Sequence, residues 1–195
     1  MKNFLKYFLL LTLFVTSCKD EDRGEGPVNF FFTSYFVPQT IEASQVVDSQ
    51  INCFSLSSVE YITEKNDSSR FYKLAREFGE YGDKQYPSIP PCPSSKPIGI
   101  KTIMINKIEG NEKFDVSSHS VISYFNPSSF ILSNQSSAIG MVDYMVEKKV
   151  SDLTEFDYKW MYESFSIALD FQNEGNVYLV ISLDNGTEVE QRLLY

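Results

Sequence analysis

The C-terminal segment alternates apolar and polar residues on either side of a tight-turn sequence, and this pattern constrains the fold most. Residues 177–183 place an apolar side chain at every second position, as a strand with one buried face requires. Asp184-Asn185-Gly186 follows, and an Asn-Gly pair accepts the positive φ angles of a short hairpin turn. Residues 188–194 then return with Glu188, Glu190 and Arg192 on one face. The sequence therefore predicts a β-hairpin that ends in an exposed or edge strand.

Several other short segments are rich in aromatic and branched residues and are bounded by proline, glycine or serine. One of them, residues 98–108, has a clean two-residue period, which predicts a strong strand. Many short strands with turn signals are typical of an antiparallel, immunoglobulin-like β-sandwich. We therefore predict a mainly β fold with one or two short helices. The predicted strands are residues 28–37, 51–56, 98–108 and 164–171, and residues 116–125 and 130–132 are shorter apolar runs in serine-rich surroundings.

The best candidate for a helix is the segment of residues 67–78. Its apolar positions follow helical spacing: Phe71, Leu74, Ala75 and Phe78. Asp67 or Ser68 can cap the amino end, and Gly79 suits the position just after the carboxyl end. A strand is the alternative, because Phe71 and Tyr72 also suit a pleated surface. A second short helix is predicted within residues 137–149 from the spacing of its apolar residues.

The first 18 residues have the layout of a bacterial lipoprotein signal. Lys2 and Lys6 flank the start of an apolar stretch far shorter than the roughly 20 residues that span a bilayer. Thr16 and Ser17 then precede Cys18. The pattern predicts that residues 1–17 are removed and that Cys18 takes the lipid. The alternative is an ordinary secretory signal with a chance cysteine. In a lipoprotein Cys18 carries two or three acyl chains, each methylene contributing about 0.8 kcal/mol to membrane binding.

Residues 18–27 read as an acidic, flexible tether that leads into a single β-sandwich domain, residues 28–195. The run Lys19-Asp20-Glu21-Asp22 resembles the charged export signal of Bacteroidota lipoproteins. That resemblance implies a lipid-anchored protein of the outer membrane that faces the cell exterior. The alternative is that the run is only a solvated acidic spacer.

The formal net charge of −9 excludes some partners. Nucleic-acid phosphates would repel an acidic chain, so we expect no nucleic acid as a partner. Adsorption to anionic lipid faces is disfavoured for the same reason, so membrane attachment is expected only through the lipid on Cys18.

Two cysteines remain once Cys18 is lipidated. An even number in a secreted chain predicts a disulfide between Cys53 and Cys92. Its loop of about 40 residues would stabilise the fold by roughly 4 kcal/mol in the chain-entropy model. The alternative is two free buried thiols, as expected in an organism that lives without oxygen.

The order of these features resembles a family of uncharacterised Bacteroidota surface lipoproteins, a domain of unknown function. The features are the lipid-attachment cysteine with its acidic run, a proline-flanked cysteine, Ile98-Gly99-Ile100-Lys101-Thr102-Ile103-Met104-Ile105, Phe114-Asp115, Ser123-Tyr124-Phe125 and the Leu183-Asp184-Asn185-Gly186 hairpin. The resemblance implies a secreted β-rich domain and brings no activity with it.

Catalytic and metal-binding patterns are weak in this chain. The single histidine, His119, has serines beside it, but neighbouring serines cannot form a Ser-His-Asp arrangement, so we expect a surface-loop histidine. One histidine and two cysteines give no zinc site of the usual composition, and no cofactor is expected. A pair of carboxylates acting as in glycoside hydrolases stays open as an alternative.

Aromatic residues make up 15% of the chain, and they are the feature most relevant to binding. Tyr158, Trp160 and Tyr162 alternate along one side of a segment that also carries acidic residues, which predicts a candidate binding face. The alternative is that these rings fill the core. We expect a non-catalytic binding module for a glycan or an outer-membrane protein. A carboxylate-dependent hydrolase and a purely structural envelope component are the alternatives.

Overall fold

The computed structural model describes residues 31–46, 51–80, 94–128, 131, 144–170 and 176–194. The predicted signal peptide, the tether with Cys18, and Cys92 lie outside them. The strands are β1 (Phe32–Phe36), β2 (Thr40–Gln45), β3 (Ile51–Ser57), β4 (Ile62–Thr63), β5 (Ser94–Pro97), β6 (Ile100–Glu109), β7 (Glu112–Asp115), β8 (Ser120–Phe125), β9 (Met145–Lys149), β10 (Ser164–Leu169), β11 (Asn176–Leu183) and β12 (Glu188–Arg192). The α-helices are α1 (Ser68–Glu77) and α2 (Glu155–Trp160), and short 3-10 turns cover Ser117–His119 and Val150–Asp152.

Two antiparallel sheets form a β-sandwich. One sheet has the strand order β2-β3-β10-β8-β9, and the other has the order β12-β11-β6-β7. Ile122 and Ile167 from the first sheet pack with Leu179 and Ile181 from the second, and all four are fully buried. Burying each such side chain stabilises the fold by about 1.5–3 kcal/mol. The prediction of a mainly β, antiparallel sandwich with short helices is confirmed. An immunoglobulin-like strand order stays a prediction.

A second buried cluster lies at one end of the sandwich, and we call it the aromatic core; the cluster between the two sheets is the sandwich core. The aromatic core is built around a three-stranded sheet of order β4-β1-β5, in which β1 and β5 run parallel. Helix α1 packs on this sheet. The members of the aromatic core are Phe31, Phe32, Tyr35, Ile62, Phe71, Ala75, Phe78, Phe125, Ile131, Trp160 and Tyr162.

Helix α1 forms as its spacing predicts. Phe71 and Ala75 are buried on one face, and the side chain of Asp67 accepts a hydrogen bond from the Arg70 backbone N–H at 3.1 Å. Gly79 takes a φ of 73°, a left-handed conformation that glycine adopts without a Cβ penalty. The helix predicted for this segment is therefore confirmed, and the strand alternative is wrong.

The two cores meet through neighbouring residues that point to opposite sides of the backbone. Tyr35 lies in the aromatic core and Phe36 in the sandwich core. Met161 lies in the sandwich core, between Trp160 and Tyr162 of the aromatic core. An extended chain sends successive side chains in opposite directions, so these short segments hold the two cores together.

The predicted C-terminal hairpin is present, with Gly186 at a φ of 82° and β12 at the edge of its sheet. The helix predicted within residues 137–149 is wrong at its described end, because residues 145–149 form β9, which pairs antiparallel with β8. The side chains of β9 are exposed or half-buried, so the edge position rather than a hydrophobic period defines this strand.

Candidate functional site

The predicted aromatic binding face, Tyr158-Trp160-Tyr162, is corrected by the structure. Trp160 is 2% exposed and Tyr162 is 7% exposed, so their rings are not open to a ligand. The Trp160 ring meets the Phe78 ring edge-on at 5.5 Å, and the Tyr162 ring meets Phe125 at 5.4 Å. The alternative of core filling is the right one for these two rings, and Tyr158 is half-buried beside the sandwich core.

The reason for the correction is local structure. Residues 155–160 form α2, so the spacing of two no longer places the three rings on one side. The helix starts with a capping box: the Asp157 carboxylate accepts hydrogen bonds from both the backbone N–H and the hydroxyl of Thr154, each at 2.7 Å. The sequence signal was Thr-x-x-Asp before an amphipathic turn, which is a variant of the known helix-start pattern. The ring that this helix leaves in solvent is Phe156, at 53% exposure.

Asp157 is also the centre of a polar network that joins α2 to β8 and β9. The Lys148 ammonium donates to both carboxylate oxygens at 2.9 and 3.0 Å, and the Tyr124 hydroxyl donates at 2.5 Å. Burial tends to raise the pKa of Asp157, but hydrogen bonds from Lys148, Tyr124 and Thr154 outweigh it and lower that pKa to about 2. Burial and the hydrogen bond to Asp157 raise the pKa of Tyr124. Neither group can exchange a proton near neutral pH, so the network positions α2.

Two ionisable side chains, Lys96 and Glu80, are buried next to the aromatic core. Lys96 is fully buried, donates to the Met161 carbonyl at 2.5 Å and lies 5.4 Å from the centre of the Phe78 ring. Burial lowers the pKa of Lys96 to about 7. Glu80, 1% exposed, accepts hydrogen bonds from the backbone N–H groups of Phe31 and Phe32. Sequence reasoning missed both residues.

Glu163 is the described carboxyl with the properties closest to those of a general acid. It is half-buried in the connection between α2 and β10. Burial raises the pKa of Glu163 to about 7. A group of that pKa holds and releases a proton near neutral pH.

His119 lies on the surface, as predicted, in the turn of residues 117–119. Its Nδ1 is 3.5 Å from the Asp170 carboxylate, and both side chains are more than half exposed. Within the residues that the structure describes, no group of three or more His, Cys, Asp or Glu side chains is placed to hold a metal ion.

Cys53 is a free, buried thiol on β3, and burial raises its pKa. Its predicted partner Cys92 lies outside the described residues. The structure therefore gives the predicted Cys53–Cys92 disulfide no support, and the alternative of a free buried thiol fits Cys53.

Comparisons with protein-family models, with curated proteins and with solved structures each give no match to this chain. In the part of the chain that the structure describes, no helix is long and apolar enough to cross a membrane.

Proposed function

We propose that the protein is a lipid-anchored lipoprotein of a bacterial outer membrane, facing the cell exterior, whose β-sandwich is a non-catalytic binding module. The observation that carries the proposal is the order of basic start, short apolar core, Cys18 and acidic run in residues 1–22. The resemblance to uncharacterised Bacteroidota lipoproteins and an immunoglobulin-like strand order belong to the same proposal. The disulfide does not, because Cys53 is a free thiol.

The chemistry of the described residues supports a binding role. Asp157 and Lys96, whose pKa values are strongly shifted, are buried and hydrogen-bonded to other parts of the fold. Phe156 and Phe114 are the aromatic side chains best placed to stack on a sugar ring or to contact a protein, at 53% and 43% exposure. A glycan or a neighbouring envelope protein is therefore the proposed ligand class.

The anchoring is tested by expressing the full chain in a Bacteroidota host with an alkyne-tagged fatty acid. The wild-type protein should take up the label and sediment with the outer membrane, and protease added to intact cells should degrade it. Cys18→Ala should lose label and sedimentation together. Label on Cys18→Ala, or no label on the wild type, would contradict the anchor. Protection of the labelled wild type from protease would contradict only its outward orientation.

Ligand binding is tested separately, by thermal unfolding against a glycan panel and by pull-down from outer-membrane extracts. Thermal stability is a better readout than fluorescence, because Trp160 is buried and does not face a surface ligand. Phe156→Ala and Phe114→Ala are the matched variants, and either should weaken a genuine contact without unfolding the protein. If neither assay gives a ligand and deletion of the protein weakens the envelope, a structural role is the better account.

A carboxylate-dependent hydrolase is the second candidate, and the raised pKa of Glu163 favours it. The test is release of reducing sugar from the same glycan panel by the wild type and by Glu163→Gln. Turnover that falls by about 100-fold or more in the variant would support general-acid catalysis. Equal turnover in both would remove Glu163 from the mechanism.

A further inference from the structure

The first described residues of the chain lie in the aromatic core, at the end of the molecule that is far from the sandwich. β1 starts at Phe32, inside the aromatic core, and runs towards the sandwich, where Phe36 joins the sandwich core. The Phe36 carbonyl accepts a hydrogen bond from Ile98 at 2.8 Å, just before β6 begins. Phe31 therefore lies at the pole of the molecule formed by the aromatic core.

The other pole is marked by the last described residue. The backbone N–H of Leu194 donates to Oδ1 of Asn52 at 2.7 Å, at the start of β3. The turn between β6 and β7 at Gly110 and the turn of residues 117–119 lie at this same end of the sheets. β3 crosses the sandwich from this end to the aromatic core, and its 7 residues span about 23 Å at the usual rise of a strand.

Hydrogen bonds to a buried carboxylate fix the backbone at Phe31 and Phe32, the first described residues. The buried Glu80 carboxylate accepts from the N–H groups of Phe31 and Phe32 at 2.5 and 3.2 Å, and from the Tyr35 hydroxyl at 3.0 Å. A pull on the N-terminal side of Phe31 is therefore transmitted directly to the aromatic core. From Cys18 to Phe31 a fully extended chain spans at most about 45 Å.

From the positions of these two ends we infer that the aromatic core is the membrane-proximal end of the protein. The opposite end of the sandwich, with the β6–β7 turn and residues 117–119, then faces the medium. The inference rests on the proposed lipid on Cys18. It adds an orientation that the anchor alone does not give. The presented end carries Phe114 and the His119–Asp170 pair, so it is the part of the surface that a partner outside the cell reaches first.

The test compares two variants of the full-length lipidated protein, each of which carries one fluorophore at one of the two ends. Lys65 follows β4, which runs away from the sandwich, and it is exposed; Asn111 is exposed in the β6–β7 turn. Lys65→Cys and Asn111→Cys are made in a Cys53→Ala, Cys92→Ala background. Each is labelled with the same donor and reconstituted into phosphatidylethanolamine–phosphatidylglycerol vesicles that contain an acceptor lipid.

Energy transfer to the membrane should be about twofold or more higher from position 65 than from position 111, because the sandwich separates them by about 20 Å or more. Equal or reversed transfer in protein that floats with the vesicles would overturn the orientation and leave the anchor standing. Protein that does not float, as expected for Cys18→Ala, would overturn both. Urea unfolding of the two labelled variants checks that each is folded.

Discussion

The sandwich core and the aromatic core are stabilised in different ways. The sandwich core is mostly aliphatic and is built by strands of five to ten residues whose alternate positions face inward. The aromatic core collects its rings from separate pieces: the segment of β1, helix α1 with Phe78, the end of β8, and the end of α2 with Tyr162; the two-residue β4 adds only Ile62. Regular alternation along strands fills the sandwich core, whereas short strands, helices and chain segments without a period of two fill the aromatic core.

The two cores also differ in how the environment of a buried ionisable group shifts its pKa. Asp157, a buried carboxylate beside the sandwich core, accepts hydrogen bonds from Lys148 and Thr154 and keeps its charge. The amino group of Lys96 is buried beside the Phe78 ring, and burial lowers its pKa to about 7. The aromatic core is therefore where we expect stability to depend on pH near neutrality.

The largest effect on stability is expected from a substitution that leaves a cavity in the aromatic core. Phe78 contacts the rings of Tyr35 and Trp160, and Phe78→Ala should cost about 4 kcal/mol of unfolding free energy. Urea titration followed by Trp160 fluorescence and by circular dichroism measures it. Coincident transitions would show that the two cores unfold together, and separate transitions would show that they do not. The exposed Phe156→Ala is the control, with a change within about 0.5 kcal/mol.

Asp157→Asn tests the polar network beside the sandwich core. The variant leaves the Lys148 ammonium without its carboxylate, which should cost about 2 kcal/mol at neutral pH. Because the pKa of Asp157 is lowered to about 2 from 3.8, the wild type should lose this stabilisation as the pH falls from about 4 to 2. Urea midpoints across that range measure it. A wild type no more acid-sensitive than Asp157→Asn would contradict the role; the exposed Asp152→Asn is the matched control.

Lys96→Met tests the buried ammonium. With its pKa lowered from 10.5 to about 7, Lys96 binds its proton less tightly when folded, so stability should rise as the pH increases from 7 to about 10.5. Lys96→Met should remove that rise, at a cost of about 1–2 kcal/mol for the Met161 carbonyl that loses its partner. Chemical unfolding at pH 7, 8.5 and 10 measures the slope. Lys159→Met, an exposed lysine near the same ring, should keep it.

The smallest effect is expected from reductant. Since Cys53 is a free thiol, adding reductant should leave the thermal midpoint of the protein unchanged. A clear drop in the midpoint, together with a thiol count that rises on reduction, would restore the predicted Cys53–Cys92 disulfide. Cys53→Ala with and without reductant is the control for unspecific effects.

The sandwich core and the aromatic core also differ in how much of their structure could be predicted from the sequence. The period of two in β6, β10 and β11 marked the inward faces of the sandwich, and Asn185-Gly186 marked its final turn. β2 was missed because it is an edge strand with a single buried apolar residue, Ile41, and carries little periodicity.

The sheet of the aromatic core and the candidate site were harder to predict because no period of two marks their buried residues and their contacts are not local. Lys96 lies in a serine- and proline-rich stretch that looks exposed, but its amino group is buried and donates to the carbonyl of Met161, 65 residues later. Tyr158, Trp160 and Tyr162 have a strand-like spacing of two, and the capping signal at Thr154 and Asp157 was the evidence against it. The pairing of β1 with β5 joins segments about 60 residues apart, which no local pattern reveals.

The neighbouring residues that face different cores have an evolutionary consequence. At Tyr35-Phe36 and at Trp160-Met161-Tyr162, a change of backbone position that suits one core moves a side chain in the other. Substitutions that one core accepts are then limited by the packing of the other core. In an alignment of relatives, covariation between the two halves of the molecule should concentrate at these positions.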